Sequence, residues 1–161
     1  MNIEEVIAQI IPPNDYQHRN GFSNVQVINR LTKKERELVE KALIYKLIEN
    51  ADMLIVETLG YMRSEKSLQI LNNILEKCSD NMRKIIIAAS IFMINRDNTM
   101  INISIDAFKH LDNIYQQISA FYYLKTFESA QTDSLIEKYT EHSNYLLSYN
   151  AKQALGFHNR L

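Results

Sequence analysis

The chain has 161 residues, 46% of them hydrophobic, with 18 Lys and Arg against 19 Asp and Glu and a formal charge of −1. That is enough chain for one domain with a real core, and it lacks the basic excess with which non-specific nucleic-acid binders neutralise phosphate. Only three glycines and two prolines punctuate it, whereas a β-sandwich needs a turn signal roughly every 8–12 residues, so the reading is all-α.

Residues 2–11 predict a short helix that Pro12 and Pro13 end, because proline disfavours helix in the residue before it. Residues 14–23, with Gly21, read as turn, and residues 24–31 as one or two helical turns. Together residues 1–31 are expected to form an irregular cap on a single domain whose regular part is 32–161. The opening residues carry no basic segment before an apolar run, so no signal peptide is expected. The first strong helix signal is Thr32 with Glu35, a capping box in which each residue serves the other's free backbone N–H. Leu38, Val39, Ala42, Leu43 and Leu47 follow at helical spacing.

Asn50 is the expected stop and Asp52 the next start, with that helix ending near Gly60. Ser64 and Ser67 are expected to cap a helix carrying Leu68, Leu71, Leu75 and Cys78 on one side. Asp80 opens the next, where Met82, Ile85, Ile86, Ala89 and Met93 make a wide apolar face. The polar turn 95–98 leads to two further helix pairs, 99–110 with 113–127 and 132–141 with 144–156. Short connections predict antiparallel neighbours. The longest apolar run, 85–94, is broken by Ser90 and is about half of a bilayer span.

Windows starting at Asp52, Lys84, Gln116 and Ser148 recur every 32 residues. Aligned on them, the columns read Leu54, Ile86, Ile118, Asn150; then Leu59, Ile91, Tyr123, Leu155; then Gly60, Phe92, Leu124, Gly156. A fixed period of this size marks stacked helical units, none of which can bury its apolar face alone. The expected architecture is a right-handed stack of two-helix repeats with the Leu54, Ile86 and Ile118 column buried. Asn150 breaks that column, which fits a less buried terminal helix.

No catalytic motif accompanies the repeat: there is no nucleophile elbow, phosphate loop or dinucleotide fingerprint. The four histidines, His18, His110, His142 and His158, lack the spacing of a zinc site and read as cap or surface residues. Cys78, the one cysteine, lies on an apolar stripe and reads as a buried, inert thiol. A lone cysteine without a partner suits a reducing, cytoplasmic setting. No cofactor, no metal and no membrane contact are expected. Tyrosines crowd the C-terminal half, where a large ring with a polar tip suits an interface. Tyr115 and Tyr122 align with Ile114 and Ile118 and are expected in the core, leaving Tyr123 and Tyr145 as contact candidates.

The strings Val56-Glu57-Thr58-Leu59-Gly60 and Asn150-Ala151-Lys152-Gln153-Ala154-Leu155-Gly156 resemble the second helix of HEAT-like repeats. The resemblance covers residues 32–157 and implies an α-solenoid of about four antiparallel helix pairs. Phe92 and Leu124 depart from the family's closing glycine, and only Lys84 keeps the charge of the arginine that often opens its second helix. The whole chain is also similar, in size, short lead-in and absence of catalytic signature, to the small helical immunity proteins found beside bacterial toxins of the contact-dependent inhibition type. That likeness implies a non-enzymatic protein that binds a cognate toxin domain, a basic nuclease being the expected kind. A HEAT-repeat scaffold is the alternative, and a HEAT-like DNA glycosylase a weaker one because the chain has no tryptophan and one lysine in the inward column. The expected contact strip starts with Asp52 and Glu57, whose carboxylates would imitate phosphate. It continues through Lys84, Gln116 and Tyr123 and ends on Tyr145, Ser148 and Lys152.

Overall fold

A computed structural model describes residues 2–157, and among them there are eleven α-helices, one 3-10 turn and no strand. The lead-in carries the short helix and the helical turn expected of it, and one further turn between them. It holds α1 (Ile3–Ile10), α2 (Tyr16–Arg19) and α3 (Val25–Arg30), and α1 ends where Pro12 and Pro13 require. His158 lies outside the described residues.

The regular helices start where polar caps put them. Thr32 and Glu35 form the complete capping box of α4 (Lys33–Glu49). Asp52 caps α5 (Met53–Tyr61), Asp80 caps α7 (Asn81–Asn95), Asn113 caps α9 (Ile114–Lys125) and Asn144 caps α11 (Tyr145–Ala154). The expected Ser64–Ser67 cap is not made. A 3-10 turn, Glu65–Ser67, precedes α6 (Leu68–Lys77), and the Ser67 hydroxyl donates to the Ser64 carbonyl at 2.7 Å. The Ser64 hydroxyl is buried without a partner. The remaining elements are α8 (Thr99–Phe108) and α10 (Ala130–Glu137).

Every 32-residue unit brings a helix onto its predecessor's equivalent: α5 packs on α7, α7 on α9 and α9 on α11. α8 touches both α7 and α9, and α10 both α9 and α11, while α6 packs on α7. The period is therefore real in packing, but the buried face is not the expected one. Leu54, Ile86 and Ile118 are half-buried, while Val56, Ala88 and Ala120, two positions on, are sealed completely, as are Leu59 and Ile91. Two positions turn a helix by about 200°, so the expected column sits nearly opposite the deepest one. At α5 that far face is covered instead by the lead-in: Asn24 donates to the Thr58 hydroxyl at 2.8 Å and to the Ile10 carbonyl at 3.1 Å.

At the centre, α7 is apolar on all sides and buried on all sides, with residues 87–92 sealed consecutively. α5 ends at Tyr61, near Gly60 as expected, but Gly60 is not the closing residue that the Leu-Gly pattern implied. It lies within the helix at the crossing with α7, where a Cβ would stand 2.9 Å from the Cα of Ser90. The left-handed residue that follows is Arg63 (φ 53°), and Arg96 (φ 58°) and Glu128 (φ 48°) take the same role after α7 and α9. α11 closes on a glycine in this conformation, Gly156, as the short α2 does on Gly21. Cys78 is half-buried against the core, with its sulfur 3.4 Å from the Asp80 carbonyl.

Candidate functional site: a charged cleft and an aromatic face

A cleft of about 700 Å³ opens where the lead-in folds over the start of α5. Asp52 anchors it. One carboxylate oxygen accepts the Leu54 N–H at 3.0 Å as the helix cap, and both take the Arg19 guanidinium, at 2.8 and 2.6 Å. Arg19 is held on its other edge by the Pro12 and Pro13 carbonyls at 2.9–3.2 Å. Its hydrogen bonds hold the Asp52 carboxyl below the usual carboxylate range. The pair is thus internally satisfied, and proline-terminated α1 is what aims those carbonyls.

Glu57, one turn further along α5, has no such cation. Its Oε1 accepts the hydroxyl proton of Tyr123 from α9, and burial pushes its carboxyl above the ordinary value. The same burial and the neighbouring carboxylate push the Tyr123 phenol far up. Two residues 66 positions apart are therefore joined, tying α5 to α9 while both pack on α7. Arg83 of α7 completes the cleft wall, with one terminal N–H on the Ala51 carbonyl at 2.7 Å and a buried Nε that has no partner.

Of the expected strip, then, Asp52, Glu57 and Tyr123 come together. Lys84 lies elsewhere, half-buried in a hollow shared with Glu76, Asp106 and His110, and Gln116 is exposed. Ser148 donates to the Thr140 carbonyl, and Lys152 pairs with Glu141 at 3.1 Å. Tyr145, 73% exposed, stacks on Tyr149 with ring centroids 5.8 Å apart. The histidines bind locally: His18 Nδ1 lies 2.8 Å from Asp15, His110 Nδ1 lies 2.9 Å from the Asp106 carbonyl, and His142 Nδ1 accepts the Asn144 N–H.

Tyr115 and Tyr122 are not core residues. They are 66% and 47% exposed, because α9 turns Ala120, Phe121 and Leu124 inward and leaves the Ile114 and Ile118 side half-covered. Tyr122 reaches α11, donating to Asn150 Oδ1 at 3.0 Å, while the Asn150 amide donates to the Leu146 carbonyl at 2.8 Å. Asn150 thus satisfies its polar atoms at a half-exposed position. Tyr122, Tyr145, Leu146 and Tyr149 form one exposed aromatic face across α9 and α11, with Tyr115 further along α9. Sequence reasoning missed Arg19, Arg83 and Tyr122. No local signal marks Arg19 or Arg83, and Ile114 and Ile118 beside Tyr122 argued for the core rather than the surface.

Among the described residues no group of three or more His, Cys, Asp or Glu is placed to hold a metal ion, and no helix is long and apolar enough to cross a membrane. No family model matches the chain, nor does any curated protein or solved structure.

Proposed function

We propose that this chain is a non-enzymatic binding protein, an immunity protein that covers a cognate bacterial toxin domain inside the cell that makes both. Its helix pairs are read as a HEAT-like right-handed solenoid, a reading supported by the successive packing of α5, α7, α9 and α11 at one sequence period.

The observation that carries the binding reading is the aromatic face. Tyr122, Tyr145, Leu146 and Tyr149 are each at least 40% exposed on two packed helices, with Tyr145 stacked on Tyr149 and Tyr122 bonded to Asn150 between them. Single exposed apolar residues need no explanation, but a contiguous group of large ones marks a contact surface. Tyrosines supply that area with two rotatable side-chain angles and a hydroxyl for the rim. Of the carboxylates expected to imitate phosphate, Asp52 is taken by Arg19 and Glu57 is held by the Tyr123 hydroxyl, which leaves the contact to the aromatic face.

The test starts with the adjacent gene and ends with growth. A toxin domain encoded beside this chain should halt growth alone and lose that effect when the chain is co-expressed. Tyr122→Ser with Tyr145→Ser should abolish rescue while leaving the helical circular-dichroism spectrum unchanged. Absence of any such neighbour, or full rescue by the double variant, would defeat the reading. Co-purification with several host proteins and no toxin would favour the scaffold reading instead.

A further inference from the structure

The longest helix, α4, is apolar on two sides. Val39, Leu43 and Leu47 are buried toward the core. On the far side, at helical spacing, Leu38, Tyr45 and Ile48 stand 55%, 64% and 67% exposed. A surface helix ordinarily keeps one apolar stripe and a polar back, so a second stripe of large residues on the outward side calls for a cover. Nothing in the described chain supplies one.

The stripe does not stand alone. The neighbouring α6 turns half-buried Ile70 and Ile74 toward it. Together the two helices border a continuous groove, because Ile44 and Lys66 belong both to its Leu38 end and to its Ile48 end. Lysines stand along this apolar floor: Lys34 and Lys41 on α4, Lys77 on α6, and Lys66 ahead of α6. Lys66 pairs with Glu40 at 3.0 Å, but among the described residues Lys34, Lys41 and Lys77 make no ion pair. The acids bordering the groove are Glu37 and Asp80, and Asp80 is engaged as the α7 cap. The rim is therefore positive although the whole chain is not.

We propose that the α4–α6 groove receives an amphipathic helix of a partner protein, with the guest's apolar stripe on Leu38, Ile44, Ile48, Ile70 and Ile74 and its flanking Asp and Glu residues on the lysines. The shape suits a guest helix laid into a groove, with anchors at i, i+3 or i+4, and i+7. From Leu38 to Ile48 the floor runs about 15 Å along α4, roughly three turns of guest helix. The uncompensated lysines choose an acidic guest over a basic one and would speed its arrival. A second copy of this chain is a poorer occupant, since a like-charged rim would face its own lysines. The groove is built from helices other than those of the aromatic face, so it stands or falls independently of the immunity reading.

The test uses the full chain and a dye-labelled helical peptide of about 16 residues, with leucine at the three anchor spacings and glutamate on the flanks. Fluorescence anisotropy should show saturable binding that weakens as salt rises. Affinity should fall about tenfold or more in Ile48→Asp and in Lys41→Glu with Lys77→Glu, all exposed substitutions that leave the core untouched. The same peptide with lysine flanks should not bind. Equal binding of both peptides, no binding of either, or binding unaffected by Ile48→Asp would overturn the assignment. So would sedimentation of the chain with phosphatidylserine vesicles, or its dimerisation lost in Ile48→Asp, each of which names a different occupant.

Discussion

Gly60→Ala tests the packing that places the whole stack. In an isolated helix the change would help by about 0.8–1.0 kcal/mol, because alanine loses less backbone entropy than glycine. Here the added methyl would lie 2.9 Å from both the Cα and the Cβ of Ser90. The Cα cannot rotate away, so α5 must move off α7 by several tenths of an ångström. Overpacking of this kind costs about 1–3 kcal/mol, and the displaced α5 also carries Glu57, whose bond to Tyr123 ties it to α9. The net expectation is a loss of up to about 2 kcal/mol after the helix-propensity gain is subtracted. Adding Ser90→Gly removes the Cβ and Oγ contacts but leaves the Cα one, and should restore only part of that loss. Urea denaturation followed by far-ultraviolet circular dichroism would measure all three variants. An alanine variant more stable than the parent, showing the helix-propensity gain unopposed, would mean that α5 and α7 do not cross so closely, and the account of Gly60 would fail.

Other substitutions probe other parts of the account. Arg63 sits at φ 53°, a conformation that strains side chains other than glycine, so Arg63→Gly should stabilise the chain by about 0.5–1 kcal/mol in the same assay. Arg96→Gly should gain less, because Arg96 also lies over the Phe92 ring at 5.1 Å. Glu57 has its carboxyl pushed up by burial, with Asp52 reinforcing and Arg19 and Tyr123 opposing. The folded chain therefore holds that proton to higher pH than the unfolded one, and stability falls as pH rises from the ordinary carboxylate value through the raised one. Glu57→Gln keeps an acceptor for Tyr123 and should raise the melting temperature more at pH 8 than at pH 4; an equal shift at both would contradict the assignment. Arg19→Met leaves Asp52 partly buried without its cation and should cost about 2–4 kcal/mol, mostly lost at a pH low enough to protonate Asp52.

Local chemistry was readable in the sequence wherever a few neighbouring residues decide the outcome. Thr32 with Glu35, Asp52 and Asp80 start helices as their side chains dictate, and Pro12 ends α1. The 32-residue period was readable too, since equivalent helices do pack in succession. The face was not. With apolar residues all round, as in α7, periodicity cannot say which side is deepest, and only the small residues Gly60, Ala88 and Ala120 hinted at where helices approach closely. Ser64 failed as a cap because a 3-10 turn intervenes, an outcome decided by how α6 meets its neighbours rather than by the serine itself. Within the candidate site, Arg19 with Asp52 and Glu57 with Tyr123 are 33 and 66 residues apart. No local window contains either pair.

Calorimetric titration of the purified chain with the toxin domain encoded beside its gene addresses the central claim most directly. The account predicts one toxin domain per chain, and an affinity weakened about a hundredfold or more by Tyr122→Ser with Tyr145→Ser, since buried tyrosines at interface centres cost about 2 kcal/mol or more each when truncated. Undiminished binding by that double variant, or no binding by the parent chain, would contradict it.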